Sequence, residues 1–280
     1  MSSLHQTKRL TTRGLRKLKG KRPICCLTAY DHPSALVCAR AGVELILVGD
    51  SLGNVVQGRD DTLGVTLEQL LYHTTLVDRA LQQLAHGGSL ERLPLLVADL
   101  PFLTFHTTPA AAVANAGRCL AEGGAQAVKL EWRPGIDSYT RTLTEAGIPV
   151  MGHLGLTPQA VHQLGGYRVQ GRGETDAELL LSEIRKLEAA GAFAVVLELV
   201  PRELAARLTA AVDIPTIGIG AGPSCDGQIL VFHDLLGLGN AAPRHVKRYL
   251  EGAELFEQAV GAYIADVREG KFPGAEQSFE

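Results

Sequence analysis

Eight short runs of apolar and β-branched residues recur along the chain, and each ends in a polar, acidic or glycine-rich step. They are Pro23–Ala29, Glu44–Val48, Leu93–Ala98, Ala127–Leu130, Ile148–Met151, Phe193–Leu197, Ile214–Ile219 and Ile229–Phe232. Near-continuous apolar character, rather than strict alternation, marks strands buried on both faces, as in parallel sheets wrapped by helices. Helical patterns lie between most of the runs. Thr66–Ala85 carries Leu67, Leu70, Leu71, Thr74, Val77, Leu81 and Leu84 at three- and four-residue steps, with Thr66, Glu68 and Gln69 as a start signal. Thr175–Ala190 places Leu179, Leu180, Ile184 and Leu187 on one face before Gly191, while Arg141–Ala146 and Pro201–Ala211 are shorter examples. Eight strands alternating with helices is the closing number of a barrel, and 280 residues suit one such domain. The expected fold is therefore α/β, a single (β/α)8 TIM barrel with an extra N-terminal helix. Residues 1–22 would be a basic segment or helix capping the barrel, and 23–280 the barrel itself. One link strains this reading: only nine residues separate Ile219 from Ile229, where a parallel crossover normally takes a dozen or more. Either that helix shrinks to one turn or the seventh strand lies elsewhere.

Composition narrows the classes. An apolar share of 46% excludes a disordered or collagen-like chain. Lys plus Arg is 27 against 30 for Asp plus Glu, so nothing points to a nucleic-acid partner that needs phosphates neutralised. No apolar stretch reaches the length of a membrane span. Five cysteines, an odd count without a C-x-x-C, indicate a reducing compartment and hence a cytoplasmic protein without a catalytic thiol. Cys25 and Cys26 sit inside an apolar run and read as small buried hydrophobes. Eight basic residues from Lys8 to Arg22 precede the first acid, Asp31, which fits an ordinary solvated helix or an organelle transit segment.

Barrel enzymes carry their chemistry at the C-terminal ends of the strands. Here those ends supply Tyr30 and Asp31, Asp50 and Ser51, Asp99, Lys129 and Glu131, His153, Glu198, Gly220 to Gly222, and His233 with Asp234. Acids from distant segments thus share one rim, although Asp50 alone could serve as a turn or helix cap. Lys129 and Glu131 are two apart on a strand and point the same way, toward the barrel mouth. Glu198, within Val195-Val196-Leu197-Glu198-Leu199-Val200, is expected to lose solvation, which raises a carboxylate's pKa toward the range of a general base; a buried ion pair is the alternative. Several carboxylates with few clustered histidines favour a hard cation such as Mg²⁺ over zinc. His153 is open to two roles, positioning a substrate or making a structural hydrogen bond. Gly218–Gly222 is either a phosphate-binding turn or a tight backbone corner.

Longer motifs add a resemblance. The stretch Gly147–Pro158, continuing through Gly165–Arg172, resembles the ketopantoate hydroxymethyltransferase family. So do Thr28–Asp31, Val48–Gly53, Val128–Glu131, Gly218–Pro223 and Cys225–Gln228. It runs from about Leu15 to Phe279 and departs from the family pattern at His32, at Leu100–Phe105 and at Trp132 and Arg133, all on rim loops. The resemblance implies a Mg²⁺-dependent transfer of a hydroxymethyl group from 5,10-methylenetetrahydrofolate to C3 of 3-methyl-2-oxobutanoate, giving 2-dehydropantoate. It further implies Asp50, Asp99 and Glu131 as metal-associated carboxylates, and Asp50, Ser51, Asp99 and Lys129 as contacts of the 2-oxoacid. Glu198 would be the proton acceptor, and the assembly a homodecamer. Two other readings keep the barrel: a Mg²⁺-dependent lyase or mutase working through an oxoacid enolate, and a barrel that has lost catalysis and only binds.

Overall fold

The apolar runs form eight parallel strands: β1 (Ile24–Thr28), β2 (Leu45–Val48), β3 (Leu95–Asp99), β4 (Ala127–Glu131), β5 (Val150–Gly155), β6 (Ala194–Glu198), β7 (Thr216–Ile219) and β8 (Gly227–Leu230). Each strand pairs with the next, and β8 returns to β1 through Ile24↔Gly227 and Cys26↔Ile229, so the sheet closes into a barrel. This computed structural model describes residues 7–88, 90–239 and 243–279. The chain divides into two compact units, one running to Val231 and one beginning at Phe232.

Inside the first unit the helices are α1 (Thr12–Arg16), α2 (His32–Ala41), α3 (Leu52–Val55), α4 (Leu67–Gly87), α5 (Pro109–Ala121), α6 (Ile136–Glu145), α7 (Val161–Leu164), α8 (Glu174–Ala189) and α9 (Arg202–Ala210). Their starts are chemically marked. Asp31 caps α2 and Thr66 caps α4, each in a reciprocal capping box, and Thr108 accepts from Ala111 N at the head of α5. The barrel interior is packed by Leu47, Leu95, Val97, Met151, Phe193, Val196, Ile217 and Ile229. Leu10 and Leu15 join the same cluster from the N-terminal segment. A five-residue helix such as α1 has no stability of its own. It is held by the full burial of Leu15, an ion pair from Arg9 to Asp78 and another from Arg22 to Glu44. Lys19 completes the anchoring: its ammonium donates to the carbonyls of Thr209 and Ile214 and to Asp226.

The last strand corrects the sequence reading. β8 is Gly227–Leu230 rather than Ile229–Phe232, and Phe232 opens a helix. β7 and β8 are joined by seven residues, 220–226, with no helix between them. Each of these strands is only four residues long, so the return path is roughly 13 Å. Seven extended residues reach roughly 23 Å, which makes a crossover helix unnecessary. Gly220 and Gly222, both at positive φ, turn the loop, so the glycine-rich stretch is this corner. Cys25 also departs from expectation: it is exposed, and only Cys26 of the pair points into the core. Burial pushes the Cys26 thiol well up and those of Cys38 and Cys119 up to about 12, which keeps them protonated.

The second unit contains α10 (Phe232–Leu235) and α11 (Gly252–Arg268). Along α11, Leu255, Phe256, Val260, Tyr263, Ile264 and Val267 recur at helical spacing and are exposed.

Candidate active site

The strand ends bring the expected residues together. Asp99 and Glu131 are the last residues of β3 and β4, Glu198 the last of β6, and Asp50 and Ser51 follow β2 after Gly49. Lys129, two residues before the end of β4, is the centre of the group. Its ammonium lies 2.8 Å from Asp99 Oδ2, 4.0 Å from Glu131 Oε1 and 3.0 Å from His153 Nδ1. On its other side, the His153 ring places Nε2 3.2 Å from Glu198 Oε2. Asp50 joins through Gln159, whose side-chain nitrogen donates to Asp50 Oδ2 at 2.9 Å. Ser51 shares a 2.7 Å hydrogen bond with the Tyr30 hydroxyl. A β-carbon on Gly49 would stand 3.3 Å from Ser51 Oγ and 3.4 Å from Asp99 Oδ2, so the bare backbone there lets β2 and β3 bring these groups close.

Apart from Glu198 at the mouth, this is a buried charge cluster. Asp50, Asp99, Lys129, Glu131 and His153 are all under 5% exposed. Three carboxyl groups surround one ammonium, so with all three ionised and the imidazole neutral the sign is negative. Burial, then the neighbouring charges of Asp99 and Glu131, raise the pKa of Asp50 well above the ordinary carboxylate range. Burial lifts that of Asp99 to about 6, against the pull of Lys129. Glu131 goes the other way: burial acts to raise it, but the imidazole of His153, the charge of Lys129 and the Gln159 main-chain N–H together bring it down. Lys129 stays charged because the surrounding acids outweigh its desolvation.

His153 balances opposing influences. Burial and Lys129 push its pKa down, while the carboxylates of Glu131 and Glu198 push it up, to about 8. When the ring is neutral and the Lys129 ammonium donates to Nδ1, its proton sits on Nε2, facing Glu198; when protonated, the ring carries a proton on each nitrogen, toward Glu131 and Glu198. The approach to Glu198 is short but not aligned as a full hydrogen bond, a common state of catalytic pairs before a ligand closes them up.

Two expectations shift. The Glu198 side chain keeps 18% exposure, so the heaviest desolvation falls on Asp50 and Asp99 rather than on it. Among the described residues, no group of three or more His, Cys, Asp and Glu side chains is arranged to hold a metal ion unaided. Asp50, Asp99 and Glu131 are not a ready cage because Asp99 leans on Lys129 while Glu131 accepts from Gln159 N at 2.9 Å. The donor set still suits a hard cation. Asp99 Oδ1, Glu131 Oε1 and Gln159 Oε1 are buried acceptors without a donor at hydrogen-bond distance. Oxygen atoms in that state, within an excess of negative charge, are what Mg²⁺ binds.

His153 and Gln159 are the residues that sequence reasoning left unassigned. The histidine carried a signal, its place at the end of an apolar run. A single glutamine four residues past a strand carried none. The rim above the cluster includes the stretches that depart from the family pattern. Arg133 donates to the His106 carbonyl at 2.7 Å, Trp132 to Glu183 at 2.9 Å, and Leu103 adopts φ 64°. A cavity of about 650 Å³ at the opposite, N-terminal end, lined by Arg13, Arg16, Lys17, Ile148 and Phe193 among others, contains none of the site residues.

A closed parallel barrel with an acid–lysine–histidine cluster at the C-terminal strand ends defines a (β/α)8-barrel enzyme. Solved barrels of the same architecture include a phosphonopyruvate hydrolase in complex with oxalate and Mg²⁺ (TM-score 0.61, 12% identity, 95% of this chain and 92% of that one). A 2,3-dimethylmalate lyase of the PEP mutase/isocitrate lyase superfamily is another (TM-score 0.56, 17% identity, 96% and 88%). At those identities the likeness is one of fold. Sequence is more specific: the profile of the ketopantoate hydroxymethyltransferase family matches residues 9–275. A 3-methyl-2-oxobutanoate hydroxymethyltransferase of Moorella thermoacetica is 51% identical over 98% of this chain and 99% of its own length. The namesake from Dehalococcoides mccartyi strain 195 is 48% identical over 97% and 93%. The chain belongs to the ketopantoate hydroxymethyltransferase family and is a hydroxymethyltransferase.

Proposed function

We propose that the chain transfers a hydroxymethyl group from 5,10-methylenetetrahydrofolate to C3 of 3-methyl-2-oxobutanoate, giving 2-dehydropantoate, with Mg²⁺ as its metal. The observation that carries this reading is the buried negative excess at the strand ends, with three acceptor oxygens lacking donors. A site of that kind is unfavourable by itself and becomes favourable around a divalent cation. The similarly folded phosphonopyruvate hydrolase, solved in complex with oxalate and Mg²⁺, is in keeping with it.

Asp50, Asp99 and Glu131 would hold the cation together with oxygens of the 2-oxoacid. When bound, it supplies Lewis-acid polarisation of the keto group, which makes the C3 hydrogen acidic. Glu198 takes that proton. Its partly open position at the mouth lets it reach a bound ligand, and His153 Nε2, 3.2 Å away, stabilises its ionised, proton-accepting form. Lys129, locked by Asp99, sets a fixed positive charge where negative charge develops. Asp50 and Ser51 orient the oxoacid; C3 then bonds to the one-carbon unit as its C–N bonds to the folate break, water supplying the hydroxyl and tetrahydrofolate leaving. The cytoplasm suits a chain whose buried thiols are reduced. The exposed apolar stripe of α11 supports a homo-oligomer, the decamer being the form the family resemblance implies. Light scattering reads the mass.

The test is exchange of the C3 hydrogen of 3-methyl-2-oxobutanoate with deuterium in D₂O. Exchange is expected with Mg²⁺, absent with chelator, and abolished by Glu198→Gln. Retained exchange in that variant moves the base elsewhere; no metal dependence removes the cation from the reading.

A further inference from the structure

We propose that Gln159 is a positioning residue that decides which oxygen of Asp50 and of Glu131 is presented to the ligand; this rests on the cation-binding reading above. Gln159 lies in the 3-10 turn Pro158–Ala160 that follows β5, and it is 5% exposed. From there it ties three other strand ends. Its main-chain N–H donates to Glu131 Oε2 at 2.9 Å, and its side-chain nitrogen donates to Asp50 Oδ2 at 2.9 Å and to the Leu100 carbonyl at 3.0 Å. Both side-chain hydrogens are therefore used, and the Leu100 carbonyl can only accept. Turning the amide over would set its oxygen against that carbonyl, so its orientation is dictated by its neighbours.

The consequence is a choice between oxygens. With Oδ2 of Asp50 and Oε2 of Glu131 engaged, the oxygen left to each carboxylate for any other partner is Oδ1 or Oε1. The Gln159 carbonyl oxygen then faces away from its own partners, buried and without a donor, in the same state as Asp99 Oδ1 and Glu131 Oε1. The clamp has a second effect. Asp50 already feels the charge of Lys129, the cluster's one ammonium. Released from Gln159, its carboxylate can turn toward that ammonium, and the acids would then satisfy themselves instead of remaining open to a ligand. No charge or hydrogen-bond periodicity in the sequence marks this role; it exists only because the β5 turn folds back over β2, β3 and β4.

The test compares wild type with Gln159→Leu, which keeps the bulk and the main-chain donor, and Gln159→Glu, which sets a third carboxylate against Asp50. Mn²⁺ affinity is read from the paramagnetic resonance of free Mn²⁺ with folded protein and no substrate, beside KM and kcat for the oxoacid. Removing an outer partner of this sort lowers metal affinity by roughly tenfold or more. Gln159→Leu is thus expected to raise both the Mn²⁺ Kd and KM about tenfold, with a smaller fall in kcat. Gln159→Glu is expected to disturb the site further, because its carboxylate replaces the donor to Asp50 with a like charge. A folded leucine variant that binds Mn²⁺ within twofold of wild type overturns the role of Gln159 alone. Absence of Mn²⁺ binding by wild type overturns the cation reading and this proposal together.

Discussion

Asp99→Asn is expected to stabilise the protein while destroying its activity. The folded state holds the Asp99 proton up to about pH 6, whereas the free carboxyl releases it near 3.8. Between those values the folded chain binds more protons than the unfolded one, so this residue's contribution to stability falls as pH rises through the window and is lost above it. At about 1.4 kcal/mol per pKa unit, the ionised residue costs about 3 kcal/mol at pH 8. Asparagine has the shape of the protonated acid and still offers Lys129 an acceptor, but never takes the charge. Integrated over the same two pKa values, the advantage of the variant shrinks to about 1 kcal/mol at pH 4.5 and vanishes near pH 3. Urea denaturation of metal-free protein at pH 8 and pH 4.5 measures both gaps, and C3–H exchange reports the lost activity. Equal or lower stability of Asp99→Asn at pH 8, or a gap that fails to narrow at pH 4.5, refutes the argument that burial strains this carboxylate.

Three further outcomes follow from particular contacts. Mg²⁺ should raise the melting temperature of wild type and leave that of an Asp50→Asn/Asp99→Asn double variant unmoved, because only the former has a charge excess to neutralise. Lys19→Met should cost roughly 2–3 kcal/mol in chemical denaturation, since Asp226 and two carbonyls lose their ammonium far from the site; kcat of the folded variant should be unchanged. Gly155→Ala should lose at least about 2 kcal/mol and most of kcat: the residue sits at φ 96°, and an added β-carbon collides with the Glu198 carbonyl. A rise in kcat there would show that Glu198 is not held by this contact.

Much of the architecture was legible because it rests on local patterns. The eight runs appear as eight strands, and α4 and α8 start and stop within two residues of their sequence signals, Thr66 at one end and the Ala190–Gly191 step at the other. Helices α2 and α5 escaped because small residues, alanines, serine and cysteines, rather than large aliphatic ones build their buried faces; their caps, Asp31 and Thr108, each closely followed by proline, were the signal to use. The seventh connection misled because crossover length was judged without knowing how short the strands would be. The gathering of Asp50, Asp99, Lys129, Glu131 and Glu198 at one rim could be read in advance, since acids at strand ends are conspicuous.

What the chain order settles is the set of chemical groups and the end of the barrel to which each is delivered, because strand period and strand termini are properties of neighbouring residues. Which group touches which was decided by the closed sheet. Only there does Lys129 take Asp99 as its closest acid, His153 stand between Lys129 and Glu198, and Gln159 clamp carboxylates from two other strands. Those pairings depend on the register of β3, β4, β5 and β6, and on the burial that makes each unshared oxygen costly; both are created by closure and neither is present in any segment alone.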